Sequence, residues 1–399
     1  MPPEQTLTPQ SEIDARIQEL QTSLQQEGID GALIVQNTDL FYFSGTIQQA
    51  HLYVPAEGPP LLMVRKSLER AQEESPMANI LPLASPKKLP ELMHAHGLKP
   101  PAVLGMELDV LPANNYFAYR KLFPKSDIRD VSVQIRTLRA VKSPYELDLI
   151  RQAAAFSDQI AGLMPNLLQP GMTEIELAGL VEAQARRLGH QGIARMRLFG
   201  AEMFYGHLMA GPSAAVPSFL ASPTGGASVS PAVAQGPGFR KIQRNEPILL
   251  DYVFAWQGYI SDHTRIFSIG RLPRMLVEAH AHMLEVQEHV KKMATPGTAA
   301  GDIYEAVMKM VEERGLTANF MGAGDDRIRF IGHGVGLEVD EFPFLARGQK
   351  MKMREGMTIA LEPKMIFPGK GVVGIENTHV VTPDGLRQLT CAEEQIVTV

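Results

Sequence analysis

The sequence is poor in cysteine and tryptophan, with one of each in 399 residues. Cys391 has no partner for an intramolecular disulfide, which is typical of a protein made in a reducing compartment. The N-terminus shows no basic and apolar leader, and no apolar run approaches the ~20 residues that span a bilayer. We therefore expect a cytoplasmic protein that does not enter a membrane.

An excess of charge of either sign is also lacking. The chain carries 38 Lys and Arg residues against 44 Asp and Glu residues, a formal net charge of −6. This balance gives no general attraction to nucleic acid, and we expect no nucleic-acid partner. Hydrophobic residues make up 45% of the chain and charged residues 21%, which is the composition of a folded globular protein. At roughly 150 residues per domain, the length predicts two or three domains.

Short apolar runs alternate with helical patterns in the first third of the chain. Residues 11–27 place apolar side chains at spacings of three and four, which predicts an amphipathic helix. The runs 31–35, 40–43 and 61–64 are bounded by turn residues and predict strands. Strands that alternate with helices indicate an α/β domain, which we place at residues 11–140.

From residue 144 onward the sequence predicts helices and antiparallel strands. Two pairs of apolar runs are each joined by a short turn segment, which is typical of hairpins. The paired runs are 248–254 with 258–267, and 357–362 with 372–381. The stretch 210–247 is rich in Gly, Pro, Ser and Ala, and its length inside a compact domain predicts a loop that covers a site. We assign residues 144–399 to an α+β domain.

Four acidic residues stand within the two predicted hairpins. Asp251 lies in an apolar run that contains no Lys or Arg, and burying its charge is costly unless a positive group meets it. Asp262 stands on the partner strand, where hairpin pairing can bring it across from Asp251 on the same face. Glu362 and Glu376 repeat this arrangement in the second hairpin. The four carboxylates therefore require compensating positive charge.

Divalent cations would supply that charge. A shell of carboxylate and imidazole suits Mn²⁺, Co²⁺, Fe²⁺ or Zn²⁺, and we expect two ions per chain, with Mn²⁺ favoured. His333 offers the imidazole, and the glycines on either side of it allow the backbone to approach a metal closely. Any one of the acids taken alone is more often a solvated strand residue. Because the same context recurs around all four, a metal site is the better interpretation.

Four motifs occur in a fixed order along the second half of the chain. They are Tyr259-Ile-Ser-Asp-His-Thr-Arg265, Gly332-His-Gly-Val-Gly-Leu-Glu-Val339, Glu355-Gly-Met-Thr-Ile-Ala-Leu-Glu-Pro363 and Gly374-Ile-Glu-Asn-Thr378. In this order they resemble the metal-site motifs of the creatinase, aminopeptidase P and prolidase family of pita-bread metallopeptidases. Gly28-Ile-Asp-Gly-Ala-Leu-Ile34 and Phe41-Tyr-Phe-Ser-Gly45 are similar to that family's N-terminal domain. The resemblance implies a creatinase-like domain at 11–140 and a pita-bread catalytic domain at 144–399.

The resemblance also implies the ligands of a dinuclear metal centre. By position they are Asp251, Asp262, His333, Glu362 and Glu376, with Asp262 and Glu376 bridging both ions. A metal-bridged hydroxide would attack the scissile amide, and Glu362 and His333 would be the catalytic residues, with Glu362 accepting the proton. Family members of this size cleave the bond before proline in dipeptides or at peptide N-termini, and they are usually homodimers. We therefore expect a peptide or small amide substrate and a homodimer.

Two histidines that the family's peptidases commonly use to bind substrate are missing from their expected positions. Residues 208–250 contain no histidine, and Asp340 stands where the pattern has the second one. An Asp with its usual pKa of about 3.9 is anionic at neutral pH and cannot donate a proton. His207 and Tyr252 are near enough in sequence to compensate. We therefore predict substrate binding by Asp340, His207 and Tyr252, with an altered substrate preference.

Three functions stay open at this point. The first is an Xaa-Pro aminopeptidase or dipeptidase, which the retention of all five ligand positions favours. The second is a creatinase-like hydrolase or lyase that cleaves a C–N bond in a small molecule, which the missing histidines favour. The third is a non-catalytic relative that binds a peptide in the cleft, and the intact ligand set argues against it.

Overall fold

The computed structural model describes residues 6–203 and 205–399. The chain divides into two compact units, one that extends to Arg139 and one that runs from Ala140 to Val399. Each unit contains its own cluster of buried apolar side chains. Across these described ranges, no helix combines the length and the apolar character that crossing a bilayer requires.

The N-terminal unit is built around a six-stranded mixed sheet. Its strands are β1 Gly31–Ile34, β2 Ala50–Pro55, β3 Leu61–Val64, β4 Ile80–Pro82, β5 Val103–Met106 and β6 Asp127–Asp130. They lie in the order β4-β3-β2-β1-β5-β6, with β2 antiparallel to both of its neighbours and the other neighbours parallel. The helices are α1 Gln10–Gln26, α2 Asn37–Ser44, α3 Leu68–Glu74, α4 Leu89–Ala95, α5 Ala113–Leu122 and α6 Ser132–Ala140. The predicted α/β architecture is confirmed.

The run 40–43 is helical, so the strand predicted there is wrong. It belongs to α2, where the side chain of Gln36 caps the first turn by accepting a hydrogen bond from Asp39 N at 2.8 Å. At the other end Gly45 has a φ of 79°, the left-handed conformation that commonly closes a helix. A short continuous apolar run does not distinguish a buried strand from a buried helical turn, and here the caps decide.

The C-terminal unit combines four α-helices with mainly antiparallel sheets among its described residues. The helices are α7 Pro144–Leu167, α8 Glu174–Arg187, α9 Arg274–Met293 and α10 Ala300–Glu313. The strands are β7 Gly206–Ala210, β8 Ile248–Trp256, β9 Tyr259–Ser268, β10 Phe330–Gly334, β11 Glu341–Ala346, β12 Thr358–Leu361, β13 Lys364–Phe367, β14 Gly371–Gly374, β15 Asn377–Thr382, β16 Gly385–Gln388 and β17 Val397–Thr398. They form the sheets β17-β9-β8-β7 and β11-β10-β12-β15-β16 and the pair β13-β14. Among these described strands, only the pair of β17 with β9 is parallel. The predicted α+β architecture is confirmed.

Capping boxes begin the first two helices of this unit. Ser143 and Thr173 accept hydrogen bonds from the backbone N–H groups of Glu146 and Glu176, at 3.2 and 3.3 Å. Each glutamate carboxylate in turn accepts the backbone N–H of its cap residue. These contacts satisfy N–H groups that have no partner inside a helix. Helix α7, fixed in this way, packs against β8 and β9 and supports the strands that carry the candidate site.

The first predicted hairpin is confirmed, whereas the second is divided between two sheets. Strands β8 and β9 pair along their whole length. In the second hairpin β12 pairs with β15, and β13 pairs with β14 in a separate ladder. Pro363, which has no N–H to donate, lies at the break between β12 and β13. Glu362 and Glu376 lie at the two breaks, where the strands pass from one sheet to the other.

Candidate metal centre

The structure brings the five side chains of the predicted ligand set to one cavity. Asp251 lies on β8, Asp262 on β9 and His333 on β10, while Glu362 and Glu376 lie at the two sheet breaks. All five line a cavity of about 90 Å³. Asp251 is largely buried and the other four are buried. Carboxylates and an imidazole from three separate parts of the sequence therefore share one small space.

The two aspartates are diagonal neighbours, which corrects the direct pairing considered from the sequence. Asp251 lies opposite Thr264, and Asp262 lies opposite Val253. Because the register differs by two residues, both carboxylates still point to the same face of the sheet. Thr264 Oγ1 donates to Glu376 Oε2 at 2.8 Å, and the backbone N–H of Thr264 donates to the Glu376 carbonyl at 3.2 Å. Strand β9 thereby positions the glutamate at the second break.

The glycines beside His333 allow close strand packing, and the close approach to a metal predicted for them stays a prediction. A Cβ atom at Gly332 would lie 2.6 Å from the carbonyl oxygen of Ala360, and one at Gly334 would overlap the carbonyl of Phe342. The glycines therefore allow β11 and β12 to approach β10 closely. His333 Nδ1 lies 3.1 Å from the Gly334 carbonyl, which can only accept, so Nδ1 carries the proton. This contact leaves Nε2 available as a metal ligand.

Three of the five side chains form a set that can hold one divalent ion. Asp262, His333 and Glu376 each offer a ligand atom, and these atoms lie within 4.8 Å of one another. Asp262 Oδ1 is buried and has no hydrogen-bond partner in the described part of the chain. A buried carboxylate oxygen left without a partner is costly, and a cation at this point would satisfy it. Two carboxylates and an imidazole suit a divalent transition metal.

A lysine that the sequence reasoning missed lies among the carboxylates. Lys364 Nζ donates to Glu362 Oε2 at 2.8 Å, to Glu376 Oε2 at 2.8 Å and to Asp251 Oδ2 at 3.1 Å. Its side chain is 1% exposed. It is the positive group that meets Asp251, and it lies 113 positions further along the chain. The available signal was a lone lysine directly before the apolar run Met365-Ile-Phe367 and two residues after Glu362.

The interactions inside the cavity move the pKa values of these groups in opposite directions. Burial and the neighbouring Asp251 raise the pKa of Asp262 well above its usual value, and burial and Asp262 do the same for Glu376. Burial would also raise the pKa of Asp251, but Lys364 and His207 hold it below its usual value. Burial lowers the pKa of Lys364, yet the surrounding carboxylates raise it well above its usual value.

Asp340 lines the cavity, but its carboxylate serves the backbone of a neighbouring segment. It accepts the N–H of Arg197 at 2.8 Å and the N–H of Leu198 at 2.9 Å. Because Met196 and Leu198 also line the cavity, Asp340 fixes part of the cavity wall in place. The predicted contact of Asp340 with substrate stays a prediction.

His207 connects the site to the Gly- and Pro-rich loop. Its Nδ1 lies 2.9 Å from Thr224 Oγ1, and its Nε2 lies 2.6 Å from Gln235 Oε1. Thr224 Oγ1 also lies 3.1 Å from Asp251 Oδ2. Both ring nitrogens are therefore engaged by the loop, and Leu220 from the same loop lines the cavity. The prediction that residues 210–247 contribute a loop over a site is confirmed.

Tyr252 does not line the cavity, and the substrate contact predicted for it stays a prediction. It follows Asp251 on β8, and the alternation of a strand sends its side chain to the opposite face of the sheet. There its ring stacks on Tyr205, with 5.9 Å between the ring centroids. Its partner across the strand pair, His263, is also fully buried on that face.

The rest of the cavity wall is mainly apolar. The side chains that contribute are Met196, Leu198, Met203, Leu220, Val253, Phe330, Val339 and Phe344. The acidic cluster thus lies at one end of an apolar cavity. This combination of an apolar wall with a few converging polar groups is typical of a small-molecule or peptide side-chain site.

Fold and site together define a metallopeptidase-like hydrolase. The chain belongs to metallopeptidase family M24, whose model matches residues 148–383. Residues 16–141 match the creatinase/prolidase N-terminal domain. The resemblance to the creatinase, aminopeptidase P and prolidase family is therefore confirmed, as is the order of its two domain types.

Similar proteins cover nearly the whole chain. An Xaa-Pro dipeptidase of Pyrococcus furiosus is 26% identical over 389 residues, which is 96% of this chain and 99% of that protein. The crystal structure of the prolidase from Pyrococcus horikoshii OT3 has a TM-score of 0.79 at 25% identity and covers 95% of this chain and 99% of its own. An X-Pro aminopeptidase structure from Thermotoga maritima, at 22% identity, a TM-score of 0.79 and coverage of 96% and 99%, shows the same fold.

Proposed function

We propose that this chain is a metal-dependent peptidase that hydrolyses the amide bond before proline in a dipeptide or another short peptide. The observation that carries the proposal is the meeting of Asp262, His333 and Glu376 in one cavity, with Glu362 beside them. The substrate class is supported by the relatives named Xaa-Pro dipeptidase, which align with almost the entire chain. The homodimer and the cytoplasmic location stay predictions.

The residues fit one divalent ion well. Asp262 Oδ1 has no protein partner within the described residues, and His333 Nε2 is left available by the contact of Nδ1 with Gly334. A bound divalent ion would lower the pKa of a water molecule and polarise the scissile carbonyl. Carboxylate and imidazole donors are compatible with Mn²⁺, which we propose as the ion. The two remaining carboxylates, Asp251 and Glu362, do not fit a second ion equally well, because each already accepts a hydrogen bond from Lys364.

Glu362 is the proposed proton acceptor. Its Oε2 accepts a hydrogen bond from Lys364, while its Oε1 lies 3.7 Å from His333 Nε2. The carboxylate is therefore held by one oxygen and presents the other toward the ligand set. In this position it can take a proton from the attacking water and pass it to the leaving amine. His333 contributes as a ligand whose ring orientation is fixed by its Nδ1 contact.

Apolar contact is the main means by which the cavity can hold a substrate. His207 has both ring nitrogens engaged by Thr224 and Gln235, and Asp340 is engaged by two backbone N–H groups. The apolar wall therefore favours substrates with apolar side chains. None of the described residues that line the cavity is Lys or Arg, so an acidic substrate side chain would be buried beside carboxylates without a positive side chain to meet it, which is unfavourable.

A panel of dipeptides tests this function. Protein loaded with Mn²⁺ should hydrolyse Xaa-Pro dipeptides with an apolar first residue, such as Leu-Pro or Met-Pro. It should cleave Asp-Pro and Glu-Pro more than about tenfold less efficiently, since an unpaired buried charge costs several kcal/mol. The measurement is kcat/KM for each peptide, with Leu-Ala and Met-Ala as matched peptides that lack proline.

The same panel includes longer Xaa-Pro peptides and creatine. Hydrolysis of a longer peptide would extend the substrate class and still support the proposal. If Mn²⁺ is bound and no Xaa-Pro peptide is turned over, the peptidase proposal is wrong. Turnover of creatine in that case would favour cleavage of a C–N bond in a small molecule.

A further inference from the structure

Lys364 occupies the point where three acidic side chains of the site converge. Its ammonium group has three N–H donors, and the three carboxylate contacts at 2.8, 2.8 and 3.1 Å use all of them. The side chain is almost completely buried. An ammonium so placed is fixed in the site, because moving it out would leave three buried carboxylates without a positive side chain beside them.

The carboxylate oxygens fall into two groups. Lys364 engages Asp251 Oδ2, Glu362 Oε2 and Glu376 Oε2. The second group is the set of possible metal ligands, which are Asp262, His333 and Glu376. Within it, Asp262 Oδ1 has no hydrogen-bond partner among the described residues. Only Glu376 belongs to both groups. The acidic cluster therefore contains one position filled by an ammonium group and one position suited to a metal ion.

A second divalent ion would compete directly with Lys364. It would need Asp251 and Glu362 as ligands, each of which already has one oxygen bonded to the ammonium, and it would stand beside a like charge. Strand β13 begins at Lys364, and its backbone carbonyl accepts the N–H of Met321, so the lysine backbone is held in the fold. A second ion could therefore displace the ammonium group only if the Lys364 side chain left its buried position while its backbone stayed in place.

We propose that the ammonium group of Lys364 takes the place of a second metal ion, so that this site binds a single divalent ion at Asp262, His333 and Glu376. The inference rests on the proposed metal-dependent function and specifies the composition of its centre. Lys364 is then a positioning residue, which holds Asp251 and Glu362 in place without a second ion. The dinuclear centre implied by the sequence resemblance is replaced by one ion and one lysine.

The stoichiometry of Mn²⁺ binding tests the inference. Full-length protein, stripped with a chelator and titrated with Mn²⁺ in a calorimeter, should bind one equivalent per chain. Its electron paramagnetic resonance spectrum should be that of isolated Mn²⁺ ions. Activity against an Xaa-Pro dipeptide should reach its plateau at the same single equivalent. Two bound equivalents with an exchange-coupled spectrum would overturn the inference and leave the proposed function intact, whereas no binding would overturn both.

The variant Lys364→Met removes the charge and keeps the length of the side chain. It should bind two equivalents of Mn²⁺ and show the exchange-coupled spectrum of neighbouring ions. A folded Lys364→Met protein that still binds one equivalent would contradict the proposed role of the ammonium. Lys364→Arg, which keeps a positive charge, should stay at one equivalent, and two equivalents would count against the proposal.

Lys142→Met is the matched control. Lys142 is also a buried lysine, with its side chain 1% exposed and its Nζ 2.9 Å from Glu341 Oε2. Its Nζ also donates to the Ala140 carbonyl, and neither Ala140 nor Glu341 belongs to the predicted ligand set. Removing this charge should leave the stoichiometry at one equivalent, so that a gain of a second ion is specific to Lys364. A second equivalent in Lys142→Met would show that loss of any buried lysine opens the site, which would contradict the proposal.

Discussion

The variant Glu362→Gln is expected to lower kcat for the best Xaa-Pro substrate by roughly 10²–10⁴-fold, which is the usual contribution of a general base. The amide keeps an oxygen that can accept the hydrogen bond from Lys364, so the side chain should stay in place. It cannot take a proton from water. Because Asp262, His333 and Glu376 are unchanged, the affinity for Mn²⁺ should change much less than kcat.

Steady-state kinetics together with a Mn²⁺ titration separate these two effects. Glu355→Gln is a suitable control, since Glu355 is an exposed glutamate that does not line the cavity. It should retain the wild-type kcat. A Glu362→Gln enzyme whose kcat lies within about threefold of wild type would rule out the assigned proton transfer, because a general base contributes far more than this.

The variant His333→Ala is expected to weaken the binding of Mn²⁺ by at least about 100-fold. Loss of a direct ligand should exceed the roughly 10–100-fold effect of losing a residue that only supports a ligand. Hydrolysis of Xaa-Pro dipeptides should fall in parallel at limiting metal. Calorimetric titration of the variant with Mn²⁺ measures the affinity without depending on activity.

His289→Ala provides the comparison for this variant. His289 is an exposed residue of α9 and does not line the cavity. Its replacement should leave the Mn²⁺ affinity and the dipeptidase activity unchanged. If His333→Ala bound Mn²⁺ as tightly as His289→Ala, the imidazole would not be a ligand.

The acidic residues of the site could be found from the sequence because each stands out locally. Asp251 interrupts a strand of buried apolar residues, and Glu362 and Glu376 end apolar runs in the same way. The strand predicted at 40–43 is wrong because the apolar pattern there is compatible with both a strand and a helix. The Gln36 cap and the left-handed Gly45 mark the two ends of the helix.

The diagonal arrangement of Asp251 and Asp262 depends on the turn between β8 and β9. The sequence pattern ended the first strand of this hairpin at residue 254, so it predicted a longer turn than the structure has. Strands β8 and β9 pair up to Trp256 and Tyr259, so only Gln257 and Gly258 form the turn. Both have positive φ values, 47° and 92°, as the tight two-residue hairpin turn requires. This turn fixes the register and shifts the aspartates by two residues.

Lys364 could not be assigned from the sequence because its partners are distant along the chain. The absence of Lys and Arg from the run around Asp251 suggested metal ions as the only compensation. In the folded protein, β13 brings a lysine to that carboxylate from 113 positions away. Local context shows that a buried charge needs a partner, but the topology of the sheets decides which partner it meets.

Anomalous diffraction from a crystal of the Mn²⁺-loaded protein tests the central claim most directly. Data collected on either side of the manganese absorption edge should show one strong peak per chain, in contact with Asp262, His333 and Glu376. Lys364 should remain bonded to Asp251 and Glu362 beside it. No peak at these three side chains, or a peak bound elsewhere in the chain, would contradict the assignment of this cavity as the metal centre.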